Sequence, residues 1–338
     1  MDAGRQRPTR LVSAAVGRAH VHSGEPMIGR RVFIGTFALG LLEAGRIAHA
    51  QPPAKVARVG WLRSGAVTLG GPFERAFREG REQGYVVGEN AHLETRAPEP
   101  GKFEQYSALA TQLVAANVDV IFAPGPQAVE AVRQATKAIP IVTVDLESDP
   151  VARGWVATLP RPGGNITGFF LDIPEMSGKQ LQFLRDIKPD LKRVVVLGDP
   201  RVNELQFHAS EAAGRSVGLA VQVRAVTQLD EIPEALAQAA RQRAGALLAL
   251  TSQLIFAGLA RIAEAAVRYH LPASSPFVPA FAEVGGLLAY GPDFPDLYRR
   301  GGGYVARILK GVKPTDLPVQ RPERFELAVN LATARALS

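Results

Sequence analysis

The chain has no cysteine among its 338 residues, and this absence excludes several classes of protein at once. Without a thiol it can form no disulfide, thiolate metal site, iron–sulfur cluster or cysteine nucleophile, and no lipid can be attached at a cysteine. Histidine is also scarce, because beyond residue 50 only His92, His208 and His270 occur. Their wide separation lacks the spacing of metal ligands.

The sequence motifs of common enzymes are missing as well. No G-x-G-x-x-G follows the first predicted strand, where residues 59–65 read VGWLRSG, and neither a P-loop nor a G-x-S-x-G elbow occurs. Because no nucleophile–base pair or metal set is visible, we expect a protein that is not an enzyme and that needs no cofactor. A periplasmic hydrolase or isomerase on a two-lobed scaffold remains the alternative.

The positive charge of the chain is concentrated near its start. The net charge is +7, but residues 1–50 hold seven arginines and three acidic residues, whereas the other 288 carry 32 basic and 29 acidic side chains. A nearly balanced body gives little attraction for a polyanion, so we expect no nucleic-acid partner. The ordinary composition, 46% hydrophobic and 21% charged, and the length fit two globular domains.

Residues 1–50 have the pattern of a leader. Arg30 and Arg31 precede an apolar run over residues 32–42, and Ala48-His49-Ala50 supplies the small residues that a signal peptidase recognises. We therefore predict a signal peptide that starts at Met27 and is cut after Ala50, with export to the periplasm. The arginine pair resembles a twin-arginine signal, and ordinary unfolded export is the alternative. A buried N-terminal helix would be the structural alternative.

Beyond residue 55, short apolar runs alternate with amphipathic stretches, which is typical of an α/β fold with parallel sheets. The first series of strands and helices is predicted at Val56–Leu62, Pro72–Gln83, His92–Ala97, Phe103–Ala116, Val118–Phe122, Gln127–Thr136 and Ile139–Val144. The second is predicted at Arg193–Leu197, Asn203–Ser216, Ala220–Val226, Glu231–Arg243, Ala246–Leu250, Ile255–Tyr269 and Pro276–Pro279. Corresponding strands begin about 128–137 residues apart, so we predict two Rossmann-like lobes of one topology. Two unrelated Rossmann-like domains are the alternative.

The pattern of the last part of the chain predicts that this part is divided between the two lobes. A strand at Leu287–Tyr290 and a helix at Leu297–Leu309 look like a return to the first lobe, and a strand at Phe325–Asn330 would complete the second. We therefore assign 55–168 plus 290–316 to the N-terminal lobe and 169–289 plus 317–338 to the C-terminal lobe. Several crossings between lobes would form a hinge that allows closure around a ligand.

Ligands of open parallel sheets bind where the strands end, so the loops after the strands are the candidate site. In the first lobe, hydroxyls and helix-start amides suited to a carboxylate or another anion come from Ser64, Gly65, Pro126 and Gln127. In the second lobe, loop positions of the same kind are held by Asn203, Thr251 and Ser252. For any one of these residues, helix capping or turn formation is the competing interpretation.

An acidic loop follows the last strand of the first series. Asp145, Glu147 and Asp149 are suited to an ammonium group, although a solvated or capping loop would have the same composition. Phe281 would stack on an apolar part of the ligand or belong to the core, and Asp293 would bind ligand or brace the hinge. The predicted site therefore favours a small polar solute, such as one that carries an amino group.

The ordered set of motifs resembles the ABC transporter substrate-binding protein family that includes the tryptophan/phenylalanine-type periplasmic binding proteins. The resemblance covers about residues 55–337. It rests on RVGWL at 58–62, VDVIFA at 118–123, IPIV at 139–142, DPV at 149–151, RPGGNITG at 161–168, YGPD at 290–293, DLYRR at 296–300, ILKGVKPTDLPV at 308–319 and FELAVNL at 325–331. The turn PGPQ at 124–127 and the acids within 144–148 depart from the family pattern.

The resemblance implies a periplasmic-binding-protein type I-like fold with about three crossovers, and a monomer. It implies capture of a small polar or amino-acid-like ligand and delivery to an ABC permease and its ATPase. The family's cleft residues fall on Ser64, Pro126, Gln127, 145–149, Asn203, Thr251, Phe281 and Asp293. A sensor subunit that presents the ligand to a membrane receptor is the alternative function.

Overall fold

The structure, a computed structural model, describes residues 11–13, 56–63, 70–81, 84–85, 89–99 and 102–337. The predicted leader lies outside the described residues except for strand β1 (Leu11–Ser13), which pairs antiparallel with the last strand of the chain. Among the described residues, no helix is both long and apolar enough to cross a membrane.

The first lobe is built on a sheet of five parallel strands in the order β3-β2-β4-β5-β6. Strands β4 and β5 are buried along their whole length because helices cover both faces of the sheet, as their runs of Val and Ile predict. The elements are β2 (Ala57–Leu62), α1 (Pro72–Arg81), β3 (Ala91–Arg96), α2 (Gln105–Ala115), β4 (Val120–Phe122), α3 (Pro126–Ala135), β5 (Ile141–Asp145) and β6 (Ile166–Phe170).

The second lobe is built on a seven-stranded sheet. The elements that follow β6 in the chain are α4 (Ile173–Ile187), β7 (Arg193–Gly198), α5 (Glu204–Ser216), β8 (Ala220–Ala225), α6 (Glu231–Arg241), β9 (Ala246–Ala249), α7 (Gln253–Ala257), α8 (Leu259–Arg268), β10 (Ala273–Ser275), α9 (Ala280–Glu283), β11 (Leu288–Pro292), α10 (Phe294–Leu309), a 3-10 helix (Pro314–Asp316), β12 (Phe325–Asn330) and α11 (Leu331–Ala336), of which α10 and the 3-10 helix lie against the first lobe. Strands β7 to β11 are parallel, and β12 runs antiparallel to β11.

The two sheets repeat one connectivity. The order β8-β7-β9-β10-β11 in the second lobe matches β3-β2-β4-β5-β6 in the first, strand for strand in chain order. This confirms the predicted fold class of two Rossmann-like lobes with a type I periplasmic-binding-protein arrangement. It also places the carboxyl ends of β2, β4 and β5 and of β7, β9 and β10 at the edges where ligands bind in such sheets.

The chain passes between the two sheets three times. The passages follow β6, β11 and the 3-10 helix, and they lie side by side: the Phe170 N–H donates to the Gln320 carbonyl at 2.9 Å, and the Asp293 N–H to the Arg324 carbonyl at 3.1 Å. Helix α10 returns to the first lobe and packs against α1, β4 and β5. Strand β11 stays in the second sheet, so residues 290–292 pair with the second lobe, and the exact domain boundaries remain a prediction.

Two parts of the predicted element series differ from the structure. The strand predicted at Pro276–Pro279 is wrong, because β10 ends at Ser275 and proline has no N–H to continue the ladder. Strand β6 and helix α4 were not predicted. Gly168 interrupts the apolar pattern of β6 because the strand comes very close to β5: a Cβ at Gly168 would lie 2.1 Å from the Thr143 carbonyl oxygen.

Candidate functional site

A cavity of about 70 Å3 lies between the two lobes, and we call it the cleft cavity. Most of its wall is apolar, and Glu147 is its one acidic lining residue within the described part of the chain. Ser252 and Gln253 line it from the start of α7. The apolar lining consists of Phe73, Pro124, Gly125, Val144, Leu146, Phe256, Phe277, Phe294 and Tyr298.

Four phenylalanine rings of this wall form a closed circuit. The ring centroids are 6.1 Å apart for Phe73 and Phe256, 5.0 Å for Phe256 and Phe277, 5.4 Å for Phe277 and Phe294, and 6.2 Å for Phe294 and Phe73. Tyr298 stacks on Phe73 at 5.0 Å. These spacings are typical of attractive aromatic pairs, so the wall offers ring faces and edges to a flat apolar group. The sequence analysis missed these residues because they come from separate segments, and no periodicity links them.

Asp145 and Glu147 form a buried acidic pair at the end of β5. Asp145 Oδ1 accepts hydrogen bonds from the Glu147 N–H at 2.8 Å and the Ser148 N–H at 3.2 Å. Asp145 Oδ2 is buried and has no hydrogen-bond partner among the described residues. Burial raises the pKa of Asp145, and burial together with the Asp145 carboxylate raises the pKa of Glu147 well above its usual range. A cation in the cavity would favour the ionised form of both groups.

Arg63 is a further charged residue of the first lobe, at the carboxyl end of β2, although it does not line the cleft cavity. It follows β2 directly and is only 6% exposed, and burial lowers the pKa of its guanidinium while Glu74 opposes that effect. Its Nε atom has no hydrogen-bond partner within the described residues. Arg63 is not among the candidate residues recognised from the sequence. Its position after a central parallel strand is the signal that could have identified it.

The predicted site residues of the second lobe are already hydrogen-bonded within that lobe. The Asn203 amide donates to the Thr251 carbonyl, and its Oδ1 accepts the Asp199 N–H at 2.7 Å. Thr251 Oγ1 donates to Gln206 Oε1 at 2.8 Å. Ser252 caps α7 by accepting the Ile255 N–H at 3.1 Å. These groups hold the loops in place, as the capping interpretation predicts.

Polar and cation–π contacts join the lobes across the cleft. Gln253 Nε2 donates to the Tyr106 hydroxyl at 2.9 Å, and burial raises the pKa of Tyr106 to about 12. The Arg201 guanidinium lies 4.1 Å from the centre of the Phe103 ring. Tyr106 and Phe103 belong to the first lobe, whereas Gln253 and Arg201 belong to the second. The structure therefore shows the cleft closed.

The remaining predicted site residues lie in different surroundings. Pro126 is buried as the first residue of α3, and the half-buried Gln127 has an Oε1 atom with no partner among the described residues. Asp149 is exposed and caps a turn by accepting the Val151 N–H at 2.9 Å. Phe281 is fully buried in the core. Asp293 caps α10 by accepting the Asp296 N–H at 2.9 Å. Ser64 and Gly65 lie outside the described residues.

The structure thus places Glu147 and Ser252 in the lining of the cleft cavity, with Asp145 directly beside Glu147, whereas Pro126 and Gln127 follow the lining residue Gly125 without lining the cavity themselves. Asp149, Phe281 and Asp293 do not line it. Within the described ranges no group of three or more His, Asp or Glu side chains is placed to hold a metal ion. The arrangement can bind a small molecule that has a positive group and a flat apolar part.

A family model described as ABC transporter substrate binding protein matches residues 77–338. A curated relative, the tyrosine-binding protein of Clostridioides difficile strain R20291, is 24% identical over 260 residues, which are 76% of this chain and 73% of that protein. The matched family consists of solute-binding proteins and not of enzymes, which agrees with the expectation of no catalysis.

Solved structures share the fold. An ABC domain in complex with L-Trp from Streptococcus pneumonia is 24% identical, with a TM-score of 0.75 over 83% of this chain and 94% of that one. A conserved domain protein from Vibrio cholerae is 23% identical, with a TM-score of 0.74 over 84% and 95%. A ligand-free, open substrate-binding protein with adhesive properties from Clostridium difficile is 24% identical, with a TM-score of 0.62 over 83% and 95%.

Proposed function

Because the chain belongs to the ABC transporter substrate-binding protein family, we propose that it captures an aromatic amino acid between its lobes and delivers it to an ABC importer. The observation that carries this proposal is the composition of the cleft cavity, where an aromatic wall meets a buried acidic pair. The ligands named for two similar proteins, tyrosine and L-Trp, support the same class.

The two parts of the cavity would bind the two parts of such a ligand. The ring would lie against the phenylalanine wall, where each aromatic pair contributes about 0.5–1.5 kcal/mol beyond the area that it buries. The ammonium group would donate to Asp145 Oδ2, which has no partner among the described residues, and to Glu147. A charge-assisted hydrogen bond of this kind contributes about 1.5–3 kcal/mol.

Export and delivery complete the proposal. The basic, apolar and small-residue pattern of residues 27–50 supports secretion into the periplasm, where a substrate-binding protein meets its permease. The closed lobes, joined through Tyr106 and Gln253 and through Phe103 and Arg201, would present the loaded form to the permease. Opening at the three crossings would then release the ligand.

A thermal-shift screen tests the binding step. L-tryptophan, L-tyrosine and L-phenylalanine are compared with L-leucine, L-arginine and D-glucose, each added to the full mature chain. A ligand at about 100 times its Kd stabilises the folded state by roughly 2.7 kcal/mol, so an aromatic amino acid should raise Tm by several degrees. If only the sugar or arginine raised Tm, the proposed ligand class would be wrong.

Uptake of a radiolabelled ligand tests the delivery step. Cells that lack the gene should import the aromatic amino acid more slowly, and a plasmid copy should restore uptake. Normal uptake without the gene, combined with a change in the ligand-dependent expression of other genes, would favour a sensor subunit instead.

A further inference from the structure

Arg63 lies at the edge of the first sheet where ligands bind in parallel α/β folds. Strand β2 is an inner strand of the first sheet, between β3 and β4, and Arg63 is the first residue after its carboxyl end. The Arg63 N–H donates to the Arg96 carbonyl at 2.8 Å, which fixes the backbone at this point. By the alternation of side chains along a strand, Arg63 belongs to the same face of the sheet as Val59 and Trp61. Those two residues pack in the core cluster that includes Tyr298.

No carboxylate of the described part of the chain is bound to the guanidinium of Arg63. Glu74 is the acidic residue that raises the pKa of Arg63, but its carboxylate is bound to other groups. Its Oε1 atom accepts hydrogen bonds from the Arg78 guanidinium at 2.6 and 2.8 Å, and its Oε2 atom accepts the Gly70 N–H at 2.9 Å. Among the described residues, no carboxylate oxygen lies within 4.0 Å of an Arg63 nitrogen. Arg63 is therefore a buried cation without an ion pair to any residue that the structure describes.

Other arginines near the cleft differ in this respect. Arg201 is held by both oxygens of Asp199, at 2.8 and 2.7 Å, and Arg78 is held by Glu74. Arg201 is also exposed, whereas Arg63 is more than nine-tenths buried. A buried, unpaired guanidinium is costly unless an anion binds it, so a ligand carboxylate would supply the missing partner.

Tyr298 connects Arg63 with the acidic pair. This tyrosine lines the cleft cavity, and its pKa is raised by burial and then by the nearby Glu147, while Arg63 acts in the opposite direction. The Arg63 backbone also borders the cleft, because its carbonyl oxygen accepts a hydrogen bond from the Tyr106 hydroxyl at 3.5 Å, and Tyr106 in turn accepts one from Gln253, which lines the cavity.

We propose that Arg63 binds the carboxylate of the ligand, while the acidic pair takes the ammonium group. This inference rests on the proposed function and narrows it: the substrate class is a free α-amino acid, and neither an aromatic amine nor an aromatic acid without an amino group fits both charges. The planar fork of the guanidinium suits two parallel hydrogen bonds to a carboxylate.

Isothermal titration of the mature wild-type chain tests the inference without a mutation. L-tryptophan, L-tyrosine and L-phenylalanine are titrated beside their primary amides, which keep the ring and the ammonium group but lack the negative charge. The amides should bind roughly 10- to 100-fold more weakly than the acids, as expected for the loss of a charge-assisted pair. Equal affinities would overturn the role of Arg63. If none of the six compounds bound, the proposed function itself would fail.

The variant Arg63→Gln assigns the effect to the residue. Affinity for the acid should fall roughly 10- to 100-fold while affinity for the amide stays unchanged, so the preference for the acid disappears. Arg63→Lys keeps the charge without the fork and should give an intermediate preference. Arg201→Gln is the matched control and should leave the ratio of acid to amide affinity at its wild-type value. A parallel loss for acid and amide in both Arg63 variants would mean that Arg63 is only structural.

Discussion

The two sides of the cleft differ in how far their polar groups are already satisfied. On the first-lobe side, Arg63 Nε, Gln127 Oε1 and Asp145 Oδ2 are buried without a partner among the described residues. On the second-lobe side, Asn203 and Thr251 have partners within their own lobe. Buried polar atoms that lack a partner are costly, so they mark where a ligand would be recognised.

This difference indicates a division of labour between the lobes. The first lobe would recognise the charged groups of the ligand, and the second would contribute ring surface from Phe256 and Phe277 and the contacts that close the cleft. The hydroxyls of Ser274 and Ser275 on β10 also lack partners among the described residues, but neither residue lines the cleft cavity. They are exceptions to the contrast within the second lobe.

Substitution of Asp145 should cause the largest loss of ligand affinity. Asp145→Asn keeps the acceptor for the Glu147 and Ser148 amides but removes the charge, so affinity for an aromatic amino acid should fall at least about 30-fold in a calorimetric titration. Thr251→Val removes a second-lobe hydroxyl of similar burial and should cost about 1 kcal/mol of stability with only a few-fold loss of affinity. Equal losses of affinity in both variants would contradict the division of labour.

Substitution of two phenylalanines of the second lobe should separate an effect on ligand affinity from an effect on stability. Phe256→Ala removes a ring of the cavity wall and should weaken ligand binding roughly tenfold, because ring pairs and buried area are lost. Phe281 is fully buried but does not line the cavity, so Phe281→Ala should cost about 3–5 kcal/mol of stability in denaturant unfolding and leave the affinity of the folded fraction unchanged.

The smallest expected effect is a dependence of binding on pH. The pKa values of Asp145 and Glu147 are raised in the folded chain, so the folded state holds protons that the unfolded state releases at lower pH. Stability of the ligand-free protein should therefore fall as pH rises above the usual carboxyl range. Because an ammonium group favours the ionised pair, ligand affinity should rise with pH over the same interval, by at most about tenfold per unit for each proton released.

Titrations at several pH values, repeated with Glu147→Gln, check this dependence. The variant removes the group with the larger shift and should flatten the profile. An affinity that falls as pH rises, or a profile that the variant does not change, would show that the acidic pair is not the ammonium site.

Much of the fold could be predicted from the sequence, because the periodicity of apolar residues indicates the strands and helices and their order along the chain indicates the two lobes. Buried strands such as β5 and β7 are continuous runs of branched apolar residues, and the two β–α series repeat at a nearly constant offset. The prediction failed where proline and glycine change the backbone locally, as at Pro276 and Gly168. Strands are recognised in a sequence from their apolar pattern, and that pattern does not show where a proline ends a strand or where a glycine allows two strands to approach.

The site was predictable in part. Asp145 and Glu147 were predicted as ligand contacts from their place at the end of a buried strand, and the structure puts Glu147 in the lining of the cleft cavity with Asp145 beside it. The aromatic wall was not, because Phe73, Phe256 and Phe294 meet only after helices from both lobes pack together. Whether a polar side chain is free to bind ligand or already caps a helix, as Ser252 does, also depends on partners that the sequence does not reveal.

A crystal structure of the mature chain with bound L-tryptophan would test the division of labour most directly. We expect the ammonium nitrogen of the ligand within about 2.7–3.2 Å of Asp145 Oδ2 or the Glu147 carboxyl. The ligand carboxylate should be bound to Arg63, and the indole should lie against Phe73 and Phe256. An amino acid whose charged groups are instead bound by Asn203, Thr251 or Asp293 would contradict it.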